Sequence, residues 1–388
     1  MVYPISVFLD SNIFIACKYN TSEDSQLGIL LRHIQAGKIK LFLSDIVKRE
    51  VEAHICKDVE NAVSYFKKAL KDTKKSISEK SLLKTSLCSY FDLPTEECIK
   101  HELITQFEQY LIESHATILD NCGVNIDSIL DDYFSGIAPF ETRNQKKHEF
   151  PDAIMAAKLK IEFPENQNLW IISNDEGFKN AFLSNSQFHC LSRLQDLYNF
   201  INKNDHTYEE IQKYFSSNAD EILATILNEL NELKFSNIEV DGTDYDRKGI
   251  IGGFEYNETY LLGTTNLKAK LDSVDEISEN SAIVTAYCSA HFSVYGNYDD
   301  FNHGIWDSED GDYIFLPHYD VYEEHDANFY CELKLNFKEK SPNYSFSIKS
   351  AKCDIKLDQY SRVARSIQDP YEDAEADQMD ALEEYYEC

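Results

Sequence analysis

The hydrophobic pattern of this 388-residue chain changes period partway along, and that change constrains the fold more than any other feature. In the first 200 residues, short continuous apolar runs alternate with helix-forming text: ISVFL at 5–9, IKLFL at 39–43, LWII at 169–172 and FHCL at 188–191. A strand that is apolar on nearly every residue must be covered on both faces, the condition of a parallel sheet between helical layers. After about residue 236 the period becomes two. Phe329, Cys331, Leu333, Leu335 and Phe337 alternate with Tyr330, Glu332, Lys334 and Asn336, and Tyr344, Phe346 and Ile348 share one face of a second run. Such alternation predicts half-buried antiparallel strands. The interval 338–343, with Pro342, closes these two into a hairpin, and Leu267, Ala269, Leu271 and the segment 282–294 supply further strands.

Between the strands, residues 12–17 begin a helix, and Ser44 caps another running from about 45 to 56. The text from 57 to about 145 reads as helical, broken near Pro94 and Gly123, and residues 151–161 start a helix with proline in its first turn. Residues 206–234 are helical, with Ile222, Ile226, Leu227 and Leu230 on one side. The expected organisation is an α/β domain over 1–200, a helical connector over 201–235, an acidic mainly-β domain over 236–358 and an acidic flexible tail over 359–388.

Charge separates the halves as sharply as periodicity does. Residues 1–200 carry 22 basic and 28 acidic side chains, net −6, whereas the remainder carries 15 against 40, net −25. A polyanion is repelled by the second half, so a nucleic acid would meet the first. There Lys67, Lys68, Lys71, Lys74, Lys75, Lys80 and Lys84 lie close together. No run approaches the ~18 apolar residues of a spanning helix, so no membrane partner is expected. The start MVYPISVFLD lacks a basic leader region and reads as a buried strand. Ten cysteines without a C-x-x-C pair fit neither a zinc module nor a disulfide framework, and the expected location is the cytoplasm.

In parallel α/β sheets, sites form beyond the carboxyl ends of strands. Acids stand at those places: Asp10 after the first strand, Asp175 after LWIISN, Asp152 opening the helix before that strand, and Glu50 in the helix after LFLS. Glu50 borders the apolar face of its helix, and Glu52 points away. Singly, Asp152 and Asp175 are also ordinary helix-start residues. Four carboxylates converging on one sheet edge raise one another's pKa values unless cations neutralise them, and magnesium or manganese suits an all-oxygen set. Metal-assisted phosphodiester hydrolysis is the chemistry such a set supports.

The segments VFLDSN at 7–12, LSDIVKREV at 43–51, KKHEFPDAI at 146–154 and IISNDEGF at 171–178 resemble, in order, the motifs of PIN-like nuclease domains. The resemblance covers about residues 1–200 and is nearest to the branch with a long helical insertion between the second and third acids. It implies a flavodoxin-like doubly wound parallel sheet, Mg2+ or Mn2+ as cofactor, and hydrolysis of single-stranded RNA. It makes Asp10, Glu50, Asp152 and Asp175 the catalytic, metal-binding acids, with Asn12 and Ser173 supporting them. Lys146 and Lys147, with Lys67, Lys68 and Lys71 of the insertion, are the candidate phosphate contacts. By family analogy such an enzyme acts as a toxin or defence effector. The rivals are an inactive PIN-like scaffold binding protein partners, and a DNA or flap nuclease of the same fold.

His54, His148 and His189 are too scattered for a zinc site, and no cysteine has a nucleophile's surroundings. The acidic run from Trp306 to Asp312 lacks the terminal glutamate and flanking helices of a calcium loop and reads as solvated. The β domain, too acidic to grip RNA, is expected to bind a regulatory protein partner.

Overall fold

The computed structural model describes residues 3–76, 94–140, 149–232, 238–240, 244–246, 249–252, 256, 258–300, 305–307, 312–340 and 343–368. The chain divides into two compact units, Met1–Ile201 and Asn202–Cys388.

The first unit opens with β1 (Ile5–Leu9), α1 (Ser11–Ala16), α2 (Gln26–Gln35), β2 (Ile39–Ser44) and the 32-residue α3 (Asp45–Ser76). It continues through α4 (Glu96–Glu113), β3 (Thr117–Leu119), α5 (Ile126–Ser135), α6 (Phe150–Glu162), β4 (Leu169–Ile172), α7 (Glu176–Asn180), β5 (Phe188–Leu191) and α8 (Leu194–Asn202). The strands form one parallel sheet in the order β3-β2-β1-β4-β5. Register places Phe8, Phe42 and Ile171 side by side on one face, where Phe8 packs on Phe178 of α7 and Phe42 on Phe163 just past α6. Val7, Leu41 and Trp170 line the opposite face, where Trp170 packs on Phe200 of α8. The sheet is therefore doubly wound, as continuous apolar strands require.

The expected helix start at Ser44 is present: its Oγ accepts from the Val47 amide at 3.0 Å, and Val47, Val51, Ile55 and Val59 bury one stripe of α3. Between the second and third acids the chain forms α3, α4 and α5, the long helical insertion. Ion pairs from Lys48 to Glu108 and from Lys100 to Glu60 join α3 to α4. The all-helical reading of 57–145 is corrected at β3. Three residues at a sheet edge, with Ile118 exposed, are too few to impose a period of two.

The second unit begins with α9 (His206–Ser217) and α10 (Ala219–Glu232). Its strands are β6 (Ile238–Val240), β7 (Asp244–Asp246), β8 (Gly249–Gly252), β9 (Glu258–Ile277), β10 (Ser281–Asp299), β11 (Ile305–Asp307), β12 (Asp312–Phe315), β13 (His318–Lys340), β14 (Asn343–Leu357) and β15 (Arg362–Gln368). The main sheet runs β6-β14-β13-β10-β9, antiparallel except where β6 meets β14. β13 pairs along its length with β10; its other edge is shared, β15 taking 320–325 and β14 taking 330–340. The alternation read in the sequence is the burial pattern found: Phe329, Cys331, Leu333, Leu335 and Phe337 are buried, and Tyr330, Asn336 and Lys338 are exposed.

Two sequence readings change here. The segment expected as a connector is part of a core, because Tyr208, Ile211, Phe215, Ile222, Ile226 and Leu230 pack on the inner face of the sheet. The segment expected as the start of a flexible tail holds β15. Arg362 and Arg365 of that strand pair with the buried Glu323 of β13 at 2.9 and 2.5 Å, a cross-strand link invisible to apolar periodicity. Residues 369–388 of the expected tail lie outside the described residues. The run expected as a solvated loop contributes β11 and β12, which pair as a small hairpin, and its residues 308–311 are also outside. Among the described residues no helix is long and apolar enough to cross a membrane.

Candidate active site

The order β3-β2-β1-β4-β5 has one reversal point, between β1 and β4, and a crevice opens beyond the carboxyl ends of strands at such a point. Asp10 and Ser173 are the first residues past those two strands. The Asp10 amide still donates to Ile172 O at 3.1 Å, and the Ser173 amide to Leu191 O at 3.0 Å, so the ladders hold both backbones in place.

Asp10 is 4% exposed. Asp10 is the N-cap of α1, its Oδ1 accepting from the Ser11 amide at 2.7 Å. Its Oδ2 accepts from Ser173 Oγ at 2.5 Å and from Asn12 Nδ2 at 2.7 Å. Asn12 Nδ2 also donates to Ser173 Oγ at 3.1 Å, and its Oδ1 accepts from the Asn174 amide at 3.1 Å. That amide contact fixes which end of the Asn12 side chain is oxygen. Ser173 is saturated as well, since its Oγ accepts from the Asp175 amide at 3.0 Å. Asn12 and Ser173 thus form a buckle that sets the Asp10 carboxyl and ties the end of β1 to the end of β4.

The other acids arrive from three helices. Glu50 lies half-buried in the second turn of α3, beside the buried stripe, whereas Glu52 pairs with Lys48 at 3.5 Å. Asp152 is in the first turn of α6, behind Pro151. Asp175 caps α7, its Oδ1 accepting from the Phe178 amide at 2.9 Å. A Cβ added at Gly177 would stand 3.1 Å from that Oδ1, so glycine at 177 leaves the capping carboxylate uncrowded.

Electrostatics joins these carboxylates. Burial pushes Asp10 up to about 6, against the pull of its bonds from Ser173 and Ser11, and the charges of Glu50 and Asp175 add to the rise. Burial also pushes Asp152 up to about 8, followed by the charges of Asp10, Asp175, Glu50 and Glu149. A helix N-terminus favours the ionised form, so burial and four neighbouring carboxylates override it here. Glu149 is an acid that the sequence reading missed; the signal was its place three residues before Asp152, at the N-cap of α6. Among the described residues no three His, Cys, Asp or Glu side chains form a ready-made cation cage. What the four acids share is a common field.

Asp152 at about 8, raised first by burial and then by the neighbouring carboxylates, holds a proton near neutral pH. A divalent cation would supply a countercharge, and carboxylate oxygens suit magnesium or manganese. The donors thus suit such an ion by their chemistry, although among the described residues their side chains are not gathered into a ready-made site.

The lysines are placed differently. Lys67, Lys68 and Lys71 are exposed on α3, and Lys67 faces Glu96 at the start of α4. At 1.5 Å per residue they lie roughly 26–32 Å along the helix from Glu50, well away from the acids. Lys146 and Lys147 lie outside the described residues, as does His148. His189 packs on Trp170, with ring centroids 4.5 Å apart.

No curated protein and no solved structure matches the chain significantly. Residues 7–178 match the family model of the PIN domain, a span that starts three residues before Asp10 and ends three after Asp175. With its five-stranded parallel sheet and this match, the N-terminal part of the chain is a PIN-like domain, which is a nuclease fold.

Proposed function

We propose that the PIN-like domain hydrolyses phosphodiester bonds of single-stranded RNA, with Mg2+ or Mn2+ held by Asp10, Glu50, Asp152 and Asp175. One observation carries this reading. Carboxylates from four separate segments meet in one field at the reversal point of the sheet, and the most affected, Asp152, is raised to about 8. Unneutralised charge of that kind destabilises a fold, and it is useful where a cation is to be recruited. A bound divalent ion would neutralise a phosphate oxygen and lower the pKa of water.

The chain's own residues have separable tasks. Asp10 is immobilised by Asn12, Ser173 and the Ser11 amide. Glu50 and Asp175 present charge from the starts of α3 and α7. Asp152, raised to about 8 by burial and its neighbouring carboxylates, is the group that would give up its proton on taking a cation. The lysines of α3, far from the acids, would hold backbone phosphates of a strand extending away from the cleaved bond. A toxin or defence role and a cytoplasmic location are part of the proposal and rest on family analogy alone.

The test is cleavage of labelled single-stranded RNA and DNA by the whole protein in EDTA, magnesium or manganese, beside Asp152→Asn. RNA cutting that needs metal and falls by at least about a thousandfold in the variant is expected. Equal turnover by the folded variant refutes the assignment, and cutting of DNA alone replaces the substrate.

A further inference from the structure

The second unit carries a feature that the nuclease reading does not use. Along β10 the even-numbered residues Val284, Ala286, Cys288, Ala290, Phe292 and Val294 are buried in the core, so Tyr287, His291, Ser293, Tyr295 and Asn297 point to the opposite face. On that outer face, register aligns Tyr260 of β9, Tyr295 of β10 and Tyr322 of β13 in one row across three strands. Their ring centroids are 5.9 and 5.4 Å apart, and Tyr260 and Tyr322 are 42% and 39% exposed.

Carboxylates flank the row. Glu258, Asn297 and Asp320 align on one side, and Ser293 with Glu324 on the other, with Asp326 beyond. Tyr260 donates to Glu258 at 2.7 Å and Tyr295 to Asp320 at 2.6 Å, so each hydroxyl adds electron density to its ring. Beside them His291 is bonded at 2.8 Å to both Glu324 and Asp326, and the bond to Asp326 above all raises its pKa. The face already holds a cation over a ring: farther along, Lys270 sits 5.0 Å from the centroid of Tyr287. Aromatic faces rimmed by carboxylates attract guanidinium and ammonium groups, by cation–π attraction and charge pairing together. The unit's net charge of −25 steers such groups toward it and repels phosphate.

We propose that this outer face docks an arginine-rich segment of a protein partner, with guanidinium groups on Tyr260, Tyr295 and Tyr322 and paired to Glu258, Asp320 and Glu324. It is independent of whether the PIN-like domain cleaves RNA.

The test uses the full chain and a fluorescent peptide of alternating arginine and serine, read by anisotropy at physiological salt. The paired substitution Tyr260→Val and Tyr322→Val leaves net charge unchanged and keeps strand-forming residues. It is expected to weaken binding about tenfold or more. Tyr65→Val, at an exposed tyrosine of α3, should leave binding as it is and controls for loss of any tyrosine. Unchanged circular dichroism and Tm keep the comparison valid. Equal affinity of wild type and the paired variant overturns the proposal, leaving diffuse attraction by net charge. No saturable binding overturns it too, as does capture of an oligouridylate by this face in place of the peptide.

Discussion

Ser173 shows how one small side chain decides the state of another. Its hydroxyl gives its single proton to Asp10 and receives bonds from Asn12 and the Asp175 amide, so three parts of the site turn on one oxygen. On the proposed function, in which Asp10 holds the metal, Ser173→Ala should lower RNA cleavage on the order of 10- to 100-fold, the usual cost of removing a group that orients a metal ligand. KM should change little, because Ser173 is fully buried. A drop confined to KM would place Ser173 in substrate binding. The acids make a pH prediction. Asp10 and Asp152 hold protons up to about 6 and about 8, against the ordinary 3.8. Between about pH 4 and 8 the folded chain therefore binds more protons than the unfolded one, and stability falls as pH rises through that window. In metal-free protein, Asp152→Asn should flatten this decline and gain on the order of 1–2 kcal/mol at pH 8, allowing for solvent screening. Urea denaturation at pH 5 and pH 8 measures it. Magnesium should raise the Tm of the wild type more than that of the variant.

At the scale of elements, the clearest constraint is on α2. Its N-cap Ser25 accepts from the Gly28 amide at 3.0 Å, and a Cβ on Gly28 would stand 2.1 Å from Ser22 O and 2.9 Å from Glu23 O. Both are backbone atoms, so the turn before α2 must move to admit a methyl group. Gly28→Ala should cost about 1–3 kcal/mol, read by chemical denaturation. A stability gain, the usual effect of replacing glycine in a helix, would show that the turn yields freely. The same scale shows which elements were legible. β1, β2, β4 and β5 announce themselves as continuous apolar runs, and the caps at Ser44 and Asp175 by residue type. β3 and β15 do not. The first is three residues long, and the second is held by Arg362 and Arg365 on Glu323. For Glu323, burial alone would raise the pKa, but bonds from His325, Tyr256 and Arg365 and the Arg365 charge hold it down to about 2.

Among the described residues the two units have main cores of different kinds, one around a parallel sheet and one where α9 and α10 cover an antiparallel sheet. Separate cores with unequal charge should melt separately. Calorimetry is expected to show two transitions, with Leu43→Ala lowering one and Leu333→Ala the other, each by about 2–5 kcal/mol of stability. Salt should stabilise the second unit more, because screening relieves the repulsion within its net charge of −25. A single transition shifted alike by both substitutions would mean that the units unfold as one.

Periodicity and residue order by themselves determined the class of each unit and put four acids forward as candidates for one site. Burial of apolar faces is additive along a strand or helix, so its pattern is written in consecutive residues. The sequence also favoured Glu50 over Glu52, by helical spacing. Tertiary structure alone decided the rest: that Asp10 caps α1 while Asn12 and Ser173 grip it, that Glu149 joins the field at Asp152, and that Lys67, Lys68 and Lys71 stand far from the acids. It also decided that the segment read as a connector is core and that three tyrosines from three strands form one row. Each of these depends on which residues, distant in the chain, are brought within a few ångströms, and hydrogen bonding and charge act over that distance whatever the separation in sequence.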